Sequence, residues 1–92
     1  MTVLKTKKSE ITFMCDSAPK AKSVYLVGDF NHWDPNAKKM AKLKDGSFKA
    51  KLTLSPGQHQ YKFIADGIWI EDKKAQKRVL NEFGTFNSVV EV

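Results

Sequence analysis

Apolar and polar residues alternate along most of this chain. The alternation has a period of two residues, which is typical of strands that turn one face to a core and the other to solvent. Gly, Pro and Asp residues separate the alternating runs. The pattern predicts six strands, over residues 9–15, 22–28, 47–54, 58–65, 68–72 and 86–92. Short strands with such turns between them favour an all-β antiparallel sandwich.

One segment lacks a clear alternation. Residues 72–80 contain an Asp that could cap a helix, but they have too few apolar positions to dock a helix firmly. We therefore expect a loop here, with at most one helical turn.

The dipeptide Asp66-Gly67 fixes the register of one hairpin, because Asp-Gly between alternating apolar residues indicates a two-residue turn. The predicted pairs are Ala65 with Ile68, Ile64 with Trp69, Phe63 with Ile70, and Lys62 with Glu71. Alternation then divides the hairpin into two faces. The face expected in the core holds Tyr61, Phe63, Ala65, Ile68 and Ile70. The face expected toward solvent holds Lys62, Ile64, Trp69 and Glu71.

Composition limits the class of protein. The 92 residues, 41% of them apolar, are expected to form one domain over residues 1–92. No apolar run is long enough to span a membrane, and the N-terminus lacks the apolar centre of a secretion signal, so we expect a cytoplasmic protein. The single cysteine, Cys15, follows Ile11 and Phe13 at period two and is expected to be a small buried hydrophobic residue.

Catalysis and metal binding have little support in the sequence. The two histidines, His32 and His59, are far apart, and no residues have the spacing of metal ligands. The chain has no glycine-rich phosphate loop. We expect a protein that is not an enzyme and needs no cofactor.

Three segments contain side chains that suit a sugar. Flat aromatic rings pack against the C–H faces of a sugar, and hydroxyl, amide and ammonium groups bond to its hydroxyls. The candidate residues are Trp33 in the loop after the second strand, Lys62 and Trp69 on one face of the hairpin, and Phe83, Thr85 and Asn87 at spacing two.

Each candidate also has a structural alternative. A large aromatic residue is more often part of a core than of a binding site, and Phe83 could fill a gap in the core. Thr85 and Asn87 could satisfy backbone groups at the start of a strand. Only the combination of all three segments favours binding, and spacing alone does not bring them together.

The order of several short motifs resembles one known family. The motifs are VYLVGDFNHW (24–33), DGSF (45–48), SPGQHQYKF (55–63), DGIW (66–69) and GTFNSVV (84–90). Together they are similar to the family 48 carbohydrate-binding module, also called the isoamylase N-terminal or early-set domain. That family includes the glycogen-binding domain of the AMP-activated protein kinase β subunit and small standalone bacterial proteins.

The resemblance implies an immunoglobulin-like sandwich and non-catalytic binding of an α-1,4-glucan such as glycogen, starch or a maltooligosaccharide. The sugar-binding residues of the family fall on Trp33, Lys62, Trp69, Thr85 and Asn87 of this chain. The sixth position departs from the pattern, because Phe83 stands where sugar-binding members usually carry Leu.

Two other functions stay open. Many early-set domains lie beside the catalytic barrel of an enzyme and bind no sugar, so a scaffold domain associated with an α-glucan-acting enzyme or a kinase-like complex is the first alternative. The net charge of +6, all of it within residues 1–51, makes nucleic-acid binding the second. We rank nucleic acid lower, because the lysines do not interleave with the tryptophans.

Overall fold

A computed structural model describes residues 8–92 as two antiparallel sheets packed into a sandwich, which confirms the predicted fold class. The strands are β1 Ser9–Cys15, β2 Val24–Gly28, β3 Ala41–Lys42, β4 Phe48–Leu54, β5 Gln58–Ala65, β6 Ile68–Ile70, β7 Lys77–Leu80 and β8 Phe86–Glu91. One sheet has the order β1-β4-β3 and the other β2-β5-β8-β7, with β6 also paired to β5. A 3₁₀ turn, Asp29–Asn31, follows β2.

The core lies between the two sheets, where alternate residues of each sheet meet. Phe48 from one sheet and Phe63 and Leu26 from the other are among its largest fully buried side chains. Cys15 is buried, as predicted, and burial raises the pKa of its thiol. Within residues 8–92, no helix is long and apolar enough to cross a bilayer.

The hairpin at Asp66-Gly67 has the predicted register for its first three pairs, from Ala65–Ile68 to Phe63–Ile70. Both turn residues have positive φ, 48° and 84°, as a type I′ turn requires. The Asp66 carboxylate accepts hydrogen bonds from the backbone N–H groups of Ser23 and Lys22 at 3.0 Å. These bonds lower the pKa of Asp66 and tie the turn to the start of β2.

The fourth predicted pair is wrong, since the ladder ends at Phe63–Ile70 and Glu71 instead forms an ion pair with Arg78 at 3.1 Å. The edge of β5 changes partner at this point. β8 pairs with residues 58–61 of β5, and β6 pairs with residues 63–65 on the same edge. Lys62 therefore lies at a fork between two neighbouring strands.

Three predictions about burial in the hairpin are wrong. Ile68, expected in the core, is 67% exposed, and Lys62 and Ile64, expected toward solvent, are buried. Alternation gives the side of the sheet on which a residue lies. Whether another segment covers that side depends on contacts that are distant in sequence.

Residues 77–80 form a strand, so the prediction of a loop over all of 72–80 is wrong there. β7 pairs with β8 from Lys77–Val89 to Leu80–Phe86. Its two leading charges lie on the edge of the sheet, where charged side chains commonly prevent pairing with another chain. Those charges obscure the apolar alternation that predicts strands.

Candidate functional site

All six predicted sugar-binding residues line one groove on the face of the larger sheet that points away from the core. Its volume is about 640 Å³. We call it the aromatic groove. The predicted residues in it are Trp33, Lys62, Trp69, Phe83, Thr85 and Asn87, and its further lining residues are Gln60, Asn81 and Glu82.

The turn after β2 positions Trp33. The backbone N–H of Trp33 donates to the carbonyl oxygen of Gly28 at 2.9 Å. Asn31 closes the turn, since its Oδ1 accepts from the Gly28 N–H at 3.0 Å and its Nδ2 donates to the Leu26 carbonyl at 3.1 Å. His32 and Trp33 both have φ of 57°, an uncommon conformation for residues other than Gly, which these hydrogen bonds hold in place.

Trp69 and Phe83 give the groove its exposed apolar surface. Trp69 lies on β6, one residue beyond the first pair of the hairpin, and is 46% exposed. Phe83 lies in the connection between β7 and β8 and is 82% exposed, so it does not fill the core. Large exposed aromatic side chains grouped in one groove mark an interaction site.

Lys62 lies at the base of the groove and is only 8% exposed. Its Nζ donates to Thr85 Oγ1 at 3.2 Å. Among residues 8–92 it forms no ion pair. A nearly buried ammonium group whose partner in the described part of the chain is a neutral hydroxyl retains N–H groups for a ligand.

Asn81 organises the connection that carries Phe83, Thr85 and Asn87. Its Oδ1 accepts hydrogen bonds from the backbone N–H groups of Phe83 and Thr85, at 2.9 and 3.1 Å. Its Nδ2 donates to Thr85 Oγ1 at 2.7 Å and to Asn87 Oδ1 at 3.0 Å. Thr85 and Asn87 therefore bond to other side chains, in place of the backbone groups that the structural alternative assigned to them.

A second groove, of about 610 Å³, adjoins the aromatic groove. It shares Lys62, Trp69 and Thr85 with the first and is otherwise lined mainly by charged residues between Glu71 and Arg78. Trp69 therefore stands between an apolar groove and a charged one.

The described residues offer little for catalysis. Within residues 8–92, no group of three or more His, Cys, Asp or Glu residues is close enough to hold a metal ion. His59 lies 3.4 Å from Asp29, but its other ring nitrogen lies 2.9 Å from a backbone carbonyl of Ser55 rather than from a nucleophile.

A family model accounts for nearly all of the chain. The model, described as the glycogen recognition site of AMP-activated protein kinase, matches residues 11–92. The chain belongs to this family. Because the glycogen-recognition family is defined by a recognition site, the predictions of a carbohydrate-binding module and of a non-catalytic chain are confirmed.

The curated relatives of this glycogen-recognition domain include β subunits of the 5'-AMP-activated protein kinase. The chain is 39% identical over 71 residues to subunit beta-1 of Sus scrofa, which covers 77% of this chain and 55% of that protein. It is 37% identical to subunit beta-2 of Mus musculus over the same length, which is 25% of that protein. The chain thus spans from a quarter to about half of the length of these relatives.

A solved structure has the same fold. The maltogenic amylase of S. marinus superposes with a TM-score of 0.74 over 96% of this chain and 14% of its own, at 23% sequence identity. At that identity the likeness shows the fold alone.

Three lining residues of the groove in this glycogen-recognition domain, Gln60, Asn81 and Glu82, were not predicted from the sequence. Gln60 lies two residues before Lys62 on the same face of β5, and period-two spacing was the signal that could have found it. Asn81 lies three residues before Gly84, which has φ of 81°. An Asn three residues before a Gly favours an Asx-type turn. This signal was missed because Asn81 directly follows residues 72–80, which were expected to form a loop.

Proposed function

We propose that this chain is a non-catalytic module that binds an α-1,4-glucan, such as glycogen, starch or a maltooligosaccharide, in the aromatic groove. One observation carries the proposal: six residues from three separate segments, chosen from the sequence, line a single groove. Membership of the glycogen-recognition family supports the same ligand class.

The aromatic side chains supply most of the affinity in this proposal. Trp33, Trp69 and Phe83 present apolar surface to the C–H faces of glucose units. Removing apolar surface from water contributes about 25 cal/mol per Å², so covering roughly 100 Å² of one ring contributes about 2.5 kcal/mol before the cost of ordering the sugar. Phe83 has the most to gain, because its ring is the most exposed of the three.

The polar side chains supply orientation. Lys62, Thr85 and Asn87 lie together at the base of the groove and are already held by hydrogen bonds to their neighbours. Because they are fixed before the ligand arrives, little rotamer freedom is lost on binding.

Titration of tryptophan fluorescence with maltoheptaose, checked by calorimetry, tests the proposal. We expect saturable binding that falls at least about tenfold in Trp69→Ala, which corresponds to about 1.4 kcal/mol. Met14→Ala is the matched control, since Met14 is also an exposed apolar residue but lies on β1, outside the groove. Absence of saturable binding to maltoheptaose, β-cyclodextrin and glycogen would refute the proposal.

Salt separates the glucan from a nucleic acid as ligand. Binding to a neutral glucan should be nearly unchanged between about 50 and 200 mM salt, whereas nucleic-acid binding through several lysines would fall steeply over that range. A steep fall of affinity with salt would therefore indicate that the ligand binds to the basic residues of the chain and not in the aromatic groove.

A second candidate is a scaffold domain that associates with an α-glucan-acting enzyme or a kinase-like complex. Two observations favour it: the relatives are named as subunits, and the amylase carries the same fold as a small part of a longer chain. Chromatography with a purified α-glucan-acting enzyme tests it. A stable complex that forms equally well with Trp33→Ala and Trp69→Ala would support a scaffold function independent of sugar.

We further propose that residues 1–92 act as one such module in the cytoplasm, in keeping with a single, buried cysteine. Limited proteolysis of the native protein, followed by mass spectrometry, tests the domain assignment. A single module predicts that the connections between its strands are not among the first sites to be cleaved.

A further inference from the structure

In the hydrogen-bond network around Asn81, two backbone N–H groups determine which side-chain atoms donate and which accept. A backbone N–H can only donate, and the N–H groups of Phe83 and Thr85 both point at one atom of the Asn81 side chain. That atom must therefore be the amide oxygen. The NH₂ group of Asn81 is thereby turned toward the polar residues at the base of the groove.

The orientation of the Asn81 amide determines the orientation of the neighbouring amide groups. The Asn81 NH₂ donates to Asn87 Oδ1 at 3.0 Å, so Asn87 turns its own NH₂ the other way. The Asn87 Nδ2 then donates to Gln60 Oε1 at 3.0 Å. Gln60 keeps its NH₂ group and one lone pair of its amide oxygen for other partners.

Thr85 receives two hydrogen bonds at one atom. Its Oγ1 accepts from Asn81 Nδ2 at 2.7 Å and from Lys62 Nζ at 3.2 Å. A hydroxyl oxygen has two lone pairs, and both are thereby used. The hydroxyl hydrogen of Thr85 remains free to donate.

The hydrogen-bonding capacity that the groove keeps for a ligand is mostly donating. Among the described residues, the donors are the Thr85 O–H, two N–H groups of Lys62, one N–H of Asn87 and the NH₂ of Gln60. The acceptors are one lone pair each on Asn87 Oδ1 and Gln60 Oε1 and the exposed carboxylate of Glu82, which also lines the groove. We propose that Asn81 is a positioning residue that makes the base of the aromatic groove mainly a donor surface, which favours ligands whose oxygens accept hydrogen bonds. This inference rests on the proposed function and specifies the kind of saccharide group that the groove takes.

The inference has a chemical consequence for ligand choice. A sugar hydroxyl can either donate or accept, so a glucan satisfies the groove by accepting. A sugar that carries an ammonium group can only donate at that position, and it would also face Lys62 with a like charge. An oligosaccharide of protonated glucosamine should therefore bind more weakly than a maltooligosaccharide of the same length when its ammonium group faces Lys62 rather than Glu82, the carboxylate that also lines the groove.

The wild-type protein provides the first test. Its affinity is measured for pairs of maltosides in which one hydroxyl is replaced by hydrogen or by fluorine at the same carbon. Fluorine accepts a hydrogen bond weakly and cannot donate. Where the deoxy compound loses affinity, we expect the fluoro compound to bind about threefold tighter than the deoxy compound, as a weak acceptor partly replaces the lost bond. Equal losses at every position would overturn the inference.

Asn81→Asp is the second test. The aspartate keeps an oxygen for the two backbone N–H groups, so the turn should persist, but it replaces the donating NH₂ by an accepting oxygen. The Thr85 hydroxyl is then drawn inward to donate, and we expect affinity for maltoheptaose to fall about tenfold and the difference between fluoro and deoxy ligands to disappear at the ligand hydroxyl that Thr85 contacts. Asn36→Asp, which adds the same charge in an exposed loop, is the control.

The outcomes separate the two proposals. Absence of wild-type binding to maltoheptaose overturns both the proposed function and this inference. Wild-type binding that is unchanged in Asn81→Asp, at unchanged melting temperature, overturns this inference alone. If Asn81→Asp does not fold, Thr85→Val takes its place. Val has the shape of Thr without its hydroxyl. Because Lys62, Asn87 and Gln60 also donate, the variant should lose the difference between fluoro and deoxy ligands at one hydroxyl position only, and retention of the difference at every position where the wild type shows it would contradict the assignment of Thr85 as a donor.

Discussion

Gly28→Ala should disturb the packing at the start of the loop that carries Trp33. Gly28 has φ of −173°, an extended conformation that any residue adopts, so its conformation does not require glycine. The atoms around Gly28 do require glycine, because they leave no room for a side chain. A Cβ atom here would lie 2.5 Å from the carbonyl oxygen of Gln60 and 2.7 Å from two ring carbons of Phe30.

Neither neighbour can retreat freely. Gln60 pairs with Val89 in the β5–β8 ladder, and its N–H donates to Asp29 Oδ2 at 2.9 Å. The Phe30 ring packs against the core, with its centroid 5.8 Å from that of Phe13. Forcing a methyl group into such a site costs about 1–3 kcal/mol. For a domain of this size, each kcal/mol lowers the melting temperature by about 4–8 °C, so we expect a fall of roughly 5–20 °C.

Thermal unfolding followed by circular dichroism measures this fall. Gly67→Ala is the comparison, because Gly67 has φ of 84° and no atom within 4 Å of the added Cβ, so its loss of about 1 kcal/mol comes from conformation alone. A cycle with Phe30→Leu isolates the clash, since the smaller side chain should relieve part of it. A melting temperature for Gly28→Ala within 2 °C of wild type, on the scale of about 4–8 °C per kcal/mol, would refute the reasoning. So would strictly additive effects in the cycle.

Three further predictions concern buried or hydrogen-bonded groups. Tyr61→Phe removes the 2.6 Å hydrogen bond from a buried hydroxyl to Asp72, and urea denaturation should show a loss of about 1.5–3 kcal/mol; a change below about 0.5 kcal/mol would contradict it. Cys15 should not react with a thiol reagent in the native protein, because burial blocks access and raises its thiol pKa, but should react fully after unfolding; rapid native labelling would contradict the packing. The pKa of Asp66 is lowered by backbone N–H groups, so its contribution to stability is present above its unfolded pKa of about 4 and is lost as the pH falls through the lower folded pKa. The stability difference between wild type and Asp66→Ala should therefore shrink from about pH 5 to pH 2, and a constant difference would be the contrary result.

The local part of this fold could be predicted from the sequence. A two-residue turn fixes the register of the strands it joins, so Asp66-Gly67 was enough to pair Ile64 with Trp69. Period-two alternation likewise found the strands that carry the core. Both signals depend on residues that are close together in the sequence, where the backbone has few alternative conformations.

The rest depends on contacts between distant segments. Lys62 looked like a surface residue because nothing near it in sequence reveals that Thr85 lies 3.2 Å from its Nζ. Asn81 was missed for the same reason, since its role comes from Asn87 and Thr85 once the connection has folded back. The residue types supplied the six candidates and the resemblance implied that they form one site, but spacing could not show that their three segments meet.

The fork in β5 places two elements at different distances along the chain from β5 side by side on one of its edges. β6 reaches its edge of β5 through a two-residue turn, whereas β8 reaches the same edge only after the chain has passed through β7. A sugar that contacts both Trp69 and Phe83 would connect β6 to the β7–β8 hairpin and hold the two elements together. Binding then resists local opening of the β7–β8 hairpin in particular. Hydrogen exchange with and without maltoheptaose should show this as slower exchange in β7 and β8, with little change at the Asp66-Gly67 turn.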